Sequence, residues 1–555
     1  MARLLLFLLL APCYAGAQTN LLTTNPLAEQ VLLGNYDPGD FASAAPVTAP
    51  GAISAGVNAR ISPDSLKSYI LRMSEFRTRN TGSDTLSALT GIGAARRWVH
   101  RKFEEFGAQN ENRLVVTYFQ FDQSVCAVGQ HRNILAILPG SNPSRKGIVL
   151  VEGHIDSRCA VLCDTACLAQ GIEDNASGTA LVMELARVMA AYTFENTVVF
   201  MVTIGEEQGL AGAEAFAIYA QQKGLPLRAV LNNDVIGGII CGKTSSPPSC
   251  PGLNEIDSTS VRLFSQGGFN SKHKQLSRFI KLEYRENILP LATVPMNVRI
   301  MSPEDRTGRG GDHIPFRERS FTAMRFTSAN EHGDASNGAN YTDRQHTSDD
   351  VLGMDTDGDG AVDSFFVDFN YLARNAVINA NAIAIAARNV PTPVAFSGTR
   401  TGDQMTVHLT DTAGLGLYRV ALRSTRTAAS TAPAFGVVQI GLTEVPMQRE
   451  LAEVLRTFLL LTLGIITAGI LSTNLLARRI ITPLRNLAAG ARKVGEGDLS
   501  TFVVPTTQDE VGQLTALFNV MTKSLQERNQ AISANLETIR RHVTQLTTLN
   551  QSSAA

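Results

Sequence analysis

Short apolar runs alternate with amphipathic stretches through the first four hundred residues. Segments 114–120, 133–138, 148–152, 197–204, 229–232 and 321–326 are compact and apolar, and read as strands. Between them lie helix signals. Ser62-Pro63-Asp64 offers an N-cap followed by proline at the first helical position, opening a helix toward Met73. A second helix is predicted over about 86–106, closing at Gly107, and a third over 176–190. The alternation predicts an α/β fold, a mixed, mostly parallel sheet sandwiched by helices. In such sheets ligands gather at the carboxyl ends of the strands.

Two further apolar segments have a different character. Arg3, the run 4–11 and Ala15-Gly16-Ala17 form a secretory signal peptide over 1–17, cut after Ala17. Segment 457–477 carries no charge and is long enough to span a bilayer as one helix. Arg456 precedes it and Arg478-Arg479 follow, so its C-terminal side is expected in the cytoplasm. Residues 18–60, rich in Ala, Gly, Pro and Asn, read as a linker or pro-segment before the α/β domain over 61–390. Turn signals and alternating residues predict a β-rich and juxtamembrane segment over 391–456.

Composition narrows the class. The chain has 555 residues, 44% hydrophobic and 18% charged, which suits a sizeable core and excludes a disordered or fibrous protein. Its net charge of -1 gives no field for nucleic acid, and none is expected as partner. The mean hydropathy of +0.01 averages soluble domains with the two apolar segments. Of seven cysteines, one is Cys13; the other six fall between Cys126 and Cys250. An even number in an exported segment points to disulfides, with Cys126 taking part and Cys241 and Cys250 able to close a Pro-rich loop. A thiolate cluster of Cys159, Cys163 and Cys167 is the alternative.

Five clusters place carboxylates or imidazoles at the ends of apolar elements. They are Gly153-His154-Ile155-Asp156-Ser157, Glu173-Asp174-Asn175-Ala176-Ser177-Gly178, Gly205-Glu206-Glu207, Asn233-Asp234 and His346-Thr347-Ser348-Asp349. Nitrogen and oxygen donors without thiolate suit zinc, cobalt or manganese. On these clusters, residues 60–390 resemble the co-catalytic di-zinc exopeptidases, the bacterial leucyl aminopeptidase type (metallopeptidase family twenty-eight). The resemblance implies a zinc exopeptidase fold with two Zn²⁺ per chain. It implies His154 and Asp234 on one ion, Glu207 and His346 on the other, Asp174 between them, Glu206 as general base and Asp156 holding the His154 ring. Gly311-Asp312-His313-Ile314-Pro315-Phe316 matches a family turn, which implies Asp312 and His313 on the substrate side.

Asp355, Asp357, Asp359 and Asp363, with Gly360 at the sixth position, resemble the front of a calcium loop, although Phe366 stands where a closing glutamate belongs. Structural Ca²⁺ is the expectation. Beyond the apolar helix, Pro483-Leu484, Gly497-Asp498-Leu499 and Asp509-Glu510-Val511-Gly512 resemble a HAMP module over 478–530, with a coiled-coil tail over 531–555. That resemblance implies a parallel four-helix bundle and hence a homodimer.

The expected protein is thus a metallo-exopeptidase, an aminopeptidase acting on peptides, anchored in a bacterial inner membrane with its catalytic domain periplasmic and its C-terminus cytoplasmic. The alternatives are a peptide-sensing HAMP receptor with a peptidase-like domain, or a carboxypeptidase or glutaminyl cyclase of the same fold.

Overall fold

The computed structural model describes residues 18–145, 147–242, 252–269, 271–306, 308–331, 343–388, 395–401, 404–410, 438–440, 462, 464 and 466–552. The expected signal peptide over 1–17 falls outside these residues, as do Cys250 and positions 457–461, 463 and 465 of the expected membrane helix. Among the described residues no helix is long and apolar enough to cross a membrane.

The chain divides into two units, the first essentially up to Thr392. Its strands are β1 (Thr19–Thr23), β2 (Val115–Val125), β3 (Val128–Leu138), β4 (Ile148–His154), β5 (Thr197–Thr203), β6 (Leu227–Asn233), β7 (Ser260–Phe264), β8 (Asn297–Ile300) and β9 (Ala323–Ser328). They form one sheet in the order β1-β2-β3-β5-β4-β6-β9-β7-β8. The central β5-β4-β6-β9 pairings are parallel, whereas β1, β2 and β3 join antiparallel to reach β5, and β7 returns antiparallel to β9. The expected sheet is therefore parallel at its centre and again at the β7–β8 edge, and antiparallel at β1-β2-β3-β5 and at β9-β7.

Burial explains the sequence pattern. Every residue of β4 and β5 is buried, as apolar runs covered on both faces should be. In β2, Val115, Thr117, Phe119 and Phe121 are buried and their neighbours half-exposed, the alternation of a strand near an edge.

The helices of this unit are α1 (Pro26–Leu33), α2 (Pro50–Arg60), α3 (Pro63–Ser74), α4 (Gly91–Ala108), α5 (Ser177–Met189), α6 (Ala211–Lys223), α7 (Lys272–Glu283), α8 (His313–Glu318) and α9 (Phe369–Ala386). Around α9 pack α2, α3, α5 and α7, while α6 and α8 pack on each other. Ser62 caps α3 through its Oγ, which accepts from Ser65 N at 3.2 Å.

Two expectations change. The stretch 18–60 is no loose linker: β1 pairs with β2, and Ala28, Val31, Leu32, Ile53 and Val57 enter the core. The second helix starts at Gly91 rather than near 86, because Asp84 Oδ1 accepts from Leu86 N and Ser87 N and holds this stretch as a turn. It also runs through Gly107 to Ala108.

The cysteines resolve as disulfides. Cys126 bonds Cys163 and Cys159 bonds Cys167, which removes the thiolate-cluster alternative. Cys241 is also disulfide-bonded.

In the second unit, a three-stranded antiparallel sheet of β12 (Ala395–Thr401), β13 (Gln404–Thr410) and β14 (Val438–Ile440) falls within the segment expected to be β-rich. The first unit also carries a two-stranded antiparallel ladder of β10 (Gly353–Met354) and β11 (Ser364–Phe365). Further on, α10 (Thr482–Gly495) and α11 (Glu510–Ser552) are joined by an extended connector. Asn519 clamps that connector, donating from Nδ2 to Val503 O at 2.7 Å and accepting Val503 N at 2.9 Å. Gly490 is needed where the connector crosses α10, since a Cβ there would lie 2.5 Å from Val503 Cγ2. Asp509 caps α11 by accepting from Val511 N and Gly512 N.

Candidate metal centre

The three central parallel strands end at one place. His154 closes β4, Glu206 and Glu207 follow β5, and Asp234 follows β6. Asp174 arrives from the turn Ile172–Ala176 that leads into α5, and His346 from the loop before β10. The helix start must come close for this to happen. A Cβ on Gly178 would fall 2.1 Å from Asn233 O, so only glycine lets α5 descend onto β6. Asn175 fastens the contact, donating to Asn233 O at 2.9 Å and accepting from Gly178 N at 2.8 Å.

Two donor sets result, His154–Asp174–Asp234 and Asp174–Glu207–His346, each with its donor atoms within 4.8 Å of one another. Asp174 belongs to both. Its Oδ1 lies 3.1 Å from His154 Nε2 and its Oδ2 lies 3.1 Å from His346 Nε2. Asp234 Oδ1 is 3.5 Å from His154 Nε2, and Glu207 Oε2 is 3.0 Å from His346 Nε2. Glu206 belongs to neither set, yet borders the same cavity of about 300 Å³. The rest of the cavity wall is Arg158, Gly209, Leu210, Arg306, Gly308, Arg309 and Gly310.

The electrostatics call for cations here. Burial disfavours a charged His154, but Asp234, Glu206, Asp156 and Asp174 outweigh it and hold the ring well above its ordinary range. For His346 burial is likewise overcome, by Glu207 and Asp174, and the ring rises to about 9. Burial pushes the Glu206 carboxyl well up; His154 opposes this, and Asp234, Glu207 and Asp312 add to it. His154 Nε2 is buried and makes no hydrogen bond despite its two carboxylate neighbours. This donor chemistry fits a pair of divalent ions sharing Asp174.

The remaining expected residues are placed differently from one another. Asp156 is fully buried, and its carboxylate accepts from Glu206 N at 3.3 Å, Glu207 N at 3.1 Å and Thr81 Oγ1 at 3.3 Å. The His154 Nδ1 atom lies 3.1 Å from the main-chain oxygen of Asp156 and 3.6 Å from its carboxylate. Asp312 and His313 do not reach the substrate side. Both are completely buried and neither lines the cavity; Asp312 accepts from Thr203 Oγ1, and burial lifts its carboxyl to about 7. Arg306, Gly308, Arg309 and Gly310, which precede them in the chain, form this part of the wall instead. Asp355, Asp357 and Asp359 converge on an exposed turn, with Asp363, between β10 and β11. Their oxygens are turned onto local donors: Asp355 accepts from Gly358 N and Gly360 N, and Asp363 from Thr356 Oγ1.

Comparison with known proteins places this geometry. The family model described as Peptidase family M28 matches residues 133–365, and that of the HAMP domain matches 475–527. A probable zinc metalloprotease of Phaeosphaeria nodorum is 32% identical over 355 residues, covering 59% of this chain and 68% of that protein. One of Leptosphaeria maculans is 30% identical over 331 residues, covering 58% and 73%. The chain belongs to Peptidase family M28.

Not every relative is matched to that extent: the peptidase spans 64% of the length of a probable zinc metalloprotease of Pyrenophora tritici-repentis, at 35% identity over 287 residues and 49% of its own length. Among solved structures, the Legionella pneumophila LapA aminopeptidase is 16% identical, with a TM-score of 0.43 over 62% of this chain and 78% of that one. A Porphyromonas gingivalis glutaminyl cyclase gives 14% and 0.39, over 59% and 97%.

Two residues of the M28 peptidase escape the sequence pattern. Arg79 is fully buried and donates from Nε to Ile155 O at 2.7 Å, from Nη2 to Gly171 O at 2.9 Å and from Nη1 to Gln170 O. It thereby ties the turn after His154 to the approach to Asp174. Burial lowers its guanidinium to about 10, against the pull of Asp350, Asp156, Asp174 and Glu207, so it stays charged at neutral pH. Asp350 accepts from Glu173 N at 2.9 Å and Asp174 N at 3.0 Å, joining the loop of His346 to the turn of Asp174. Arg79→Met would remove all three hydrogen bonds and orphan the buried Ile155 carbonyl, whereas Gly171 O would keep its bond from Ala176 N. Expected is a loss of about 3 kcal/mol or more of stability, read as a lower urea midpoint. An unchanged midpoint would remove Arg79 from this anchoring role.

Proposed function

We propose that this M28 peptidase is a zinc-dependent exopeptidase that removes N-terminal residues from peptides. The observation that carries this reading is Asp174, which offers one oxygen to each of two histidine–carboxylate sets while Glu206 stands outside both at the same cavity. His154, Asp174 and Asp234 would hold one zinc ion, and Asp174, Glu207 and His346 the second. The names of the curated relatives, zinc metalloproteases, support the choice of metal. When bound, zinc supplies Lewis acidity toward the scissile carbonyl and toward water.

The chain's own groups do the remaining work. Glu206 takes the proton of the attacking water on a carboxylate oxygen and delivers it to the leaving amine nitrogen. Its place among buried carboxylates favours holding that proton. Asp156 fixes the backbone of Glu206 and Glu207 together, so base and metal donor keep one spacing. The acidic turn at 355–363 stands apart from this chemistry; there Asp355, Asp357 and Asp359 would hold a structural Ca²⁺, their donor oxygens lying within 4.8 Å of one another.

The test is metal analysis of the purified full chain with an aminoacyl-nitroanilide assay. Two zinc ions per chain and release of dye are expected. Dialysis against a chelator should abolish release, and zinc should restore it; release that persists without metal would sink the reading.

The HAMP match supports a membrane-associated protein with a signalling module. A homodimer is favoured by the apolar seam that α11 carries beyond that module, where Ile532, Leu536, Ile539, Val543 and Leu546 recur at four- and three-residue steps and are 56–65% exposed. A peptide-sensing receptor is the second reading, favoured by the same module. It predicts that Glu206→Gln keeps peptide-dependent signalling, whereas the peptidase reading requires turnover.

A further inference from the structure

Each donor set has a guanidinium beside one of its carboxylates, but the two are placed differently. Arg325 Nη2 lies 3.1 Å from Asp234 Oδ2, whereas Asp234 Oδ1 is the oxygen turned to His154. Arg325 is fully buried and fixed elsewhere as well, donating from Nη1 to Gly310 O at 2.6 Å and to Asp305 Oδ2 at 3.1 Å. It leaves Asp234 Oδ1 to an ion and is held away from that oxygen.

Arg158 does the opposite. Its Nε donates to Glu207 Oε2 at 2.8 Å, and the same oxygen lies 3.0 Å from His346 Nε2. Its Nη2 lies 2.7 Å from His346 Nδ1. One side chain thus touches two of the three donors of the Asp174–Glu207–His346 set. Its Nη1 makes a weaker bond, to the neighbouring Cys159 O at 3.3 Å. The guanidinium is half-buried and borders the cavity of about 300 Å³, so it has space to turn into. The two histidines differ in the same sense. Behind His154, the Nδ1 atom meets the main-chain oxygen of Asp156 at 3.1 Å and its carboxylate at 3.6 Å. An oxygen behind the ring strengthens a histidine as ligand, whereas a cation there weakens it. An oxygen already held by a guanidinium also has less charge to offer, and the guanidinium repels a divalent ion beside it.

We propose that Arg158 competes with the ion of the His346 set. Its guanidinium neutralises Glu207 while that set is free of metal, and turns into the cavity when an ion takes Glu207 Oε2. Arg158 then governs the affinity of this set and leaves the His154 set unaffected. The proposal rests on the zinc reading above and on no choice of substrate. Arg158 is a positioning residue here, since it acts on the ion through its ligands. Turnover that needs both ions is thereby tied to the free zinc around the chain.

The experiment measures zinc affinity of the full chain by dialysis against chelator-buffered zinc, with the metal counted by inductively coupled plasma. Asp234→Asn isolates the His346 set and Glu207→Gln isolates the His154 set. Adding Arg158→Met should lower the zinc Kd by about tenfold or more in Asp234→Asn, and change it by less than about twofold in Glu207→Gln. Arg158→Lys should keep part of the competition, since it retains the charge without the planar fork. Thermal midpoints give a second readout. Alone, Arg158→Met should lower the midpoint of the metal-free chain and enlarge the rise that zinc produces. An unchanged or higher Kd in Asp234→Asn, an equal gain in both backgrounds, or a midpoint lowered equally with and without zinc overturns the proposal. A chain that binds no zinc in any background overturns the zinc reading and the proposal together.

Discussion

Glu206→Gln is expected to lower kcat by about 10²–10⁴-fold while the purified chain keeps its full zinc content. The amide preserves size and hydrogen-bonding capacity but cannot take a proton from water. Glu206 lies outside both donor sets, so its replacement removes no metal ligand. Its main chain is fixed through Asp156 and needs nothing from its own carboxyl group. A variant that lost zinc along with activity would show that Glu206 is a ligand, and the division of labour between Glu206 and Glu207 would have to be redrawn. KM should change little, because a proton-transfer group contributes mainly in the transition state.

The second large effect is expected at Asp174. Its two oxygens are equally placed, 3.1 Å from His154 Nε2 and 3.1 Å from His346 Nε2. Asp174→Asn keeps one carbonyl oxygen and turns the other toward an NH₂ group that repels a cation. Both sets therefore weaken at once. Zinc content should fall below one ion per chain, and activity should drop beneath detection. Asp234→Asn provides the contrast. It touches only the set of His154, so one ion should remain. Inductively coupled plasma measurements on the two variants, with the fold verified by circular dichroism, separate the outcomes. Full zinc content in Asp174→Asn would refute a shared ligand.

Much of this centre could be read from the chain because its parts sit where apolar runs stop. VVFMVTI before Gly205-Glu206-Glu207 and IVLVEGH ending on His154 announce buried parallel strands and their carboxyl ends together. What could not be read depends on contacts far apart in sequence. Arg79 lies in the polar stretch Arg77-Thr78-Arg79-Asn80-Thr81, which looks like a surface turn; its partners at 155, 170 and 171 are backbone carbonyls and leave no mark on the sequence. Strand β8 is four residues long and only one of them is buried, too short and too exposed for a periodic signal. Strand β7, SVRLF, hides because Arg262 interrupts its apolar run, although the side chain is buried against Glu331 and Ser328 O. The 18–60 stretch misled through its Ala, Gly and Pro content, since α1 and α2 both use proline at their first turn as a start signal.

The two disulfides beside the cavity are interlocked. Cys163 sits inside the loop closed by Cys159 and Cys167 and ties that loop to the β2–β3 turn at Cys126. Val161 and Leu162, 66% and 45% exposed, lie open on this rim to a foreign protease. A single cut anywhere between Cys159 and Cys167 would leave both fragments covalently joined, with Arg158 still held at the mouth. This edge is thus nick-tolerant: cleavage there would be invisible on a non-reducing gel, and would separate the chain only after reduction.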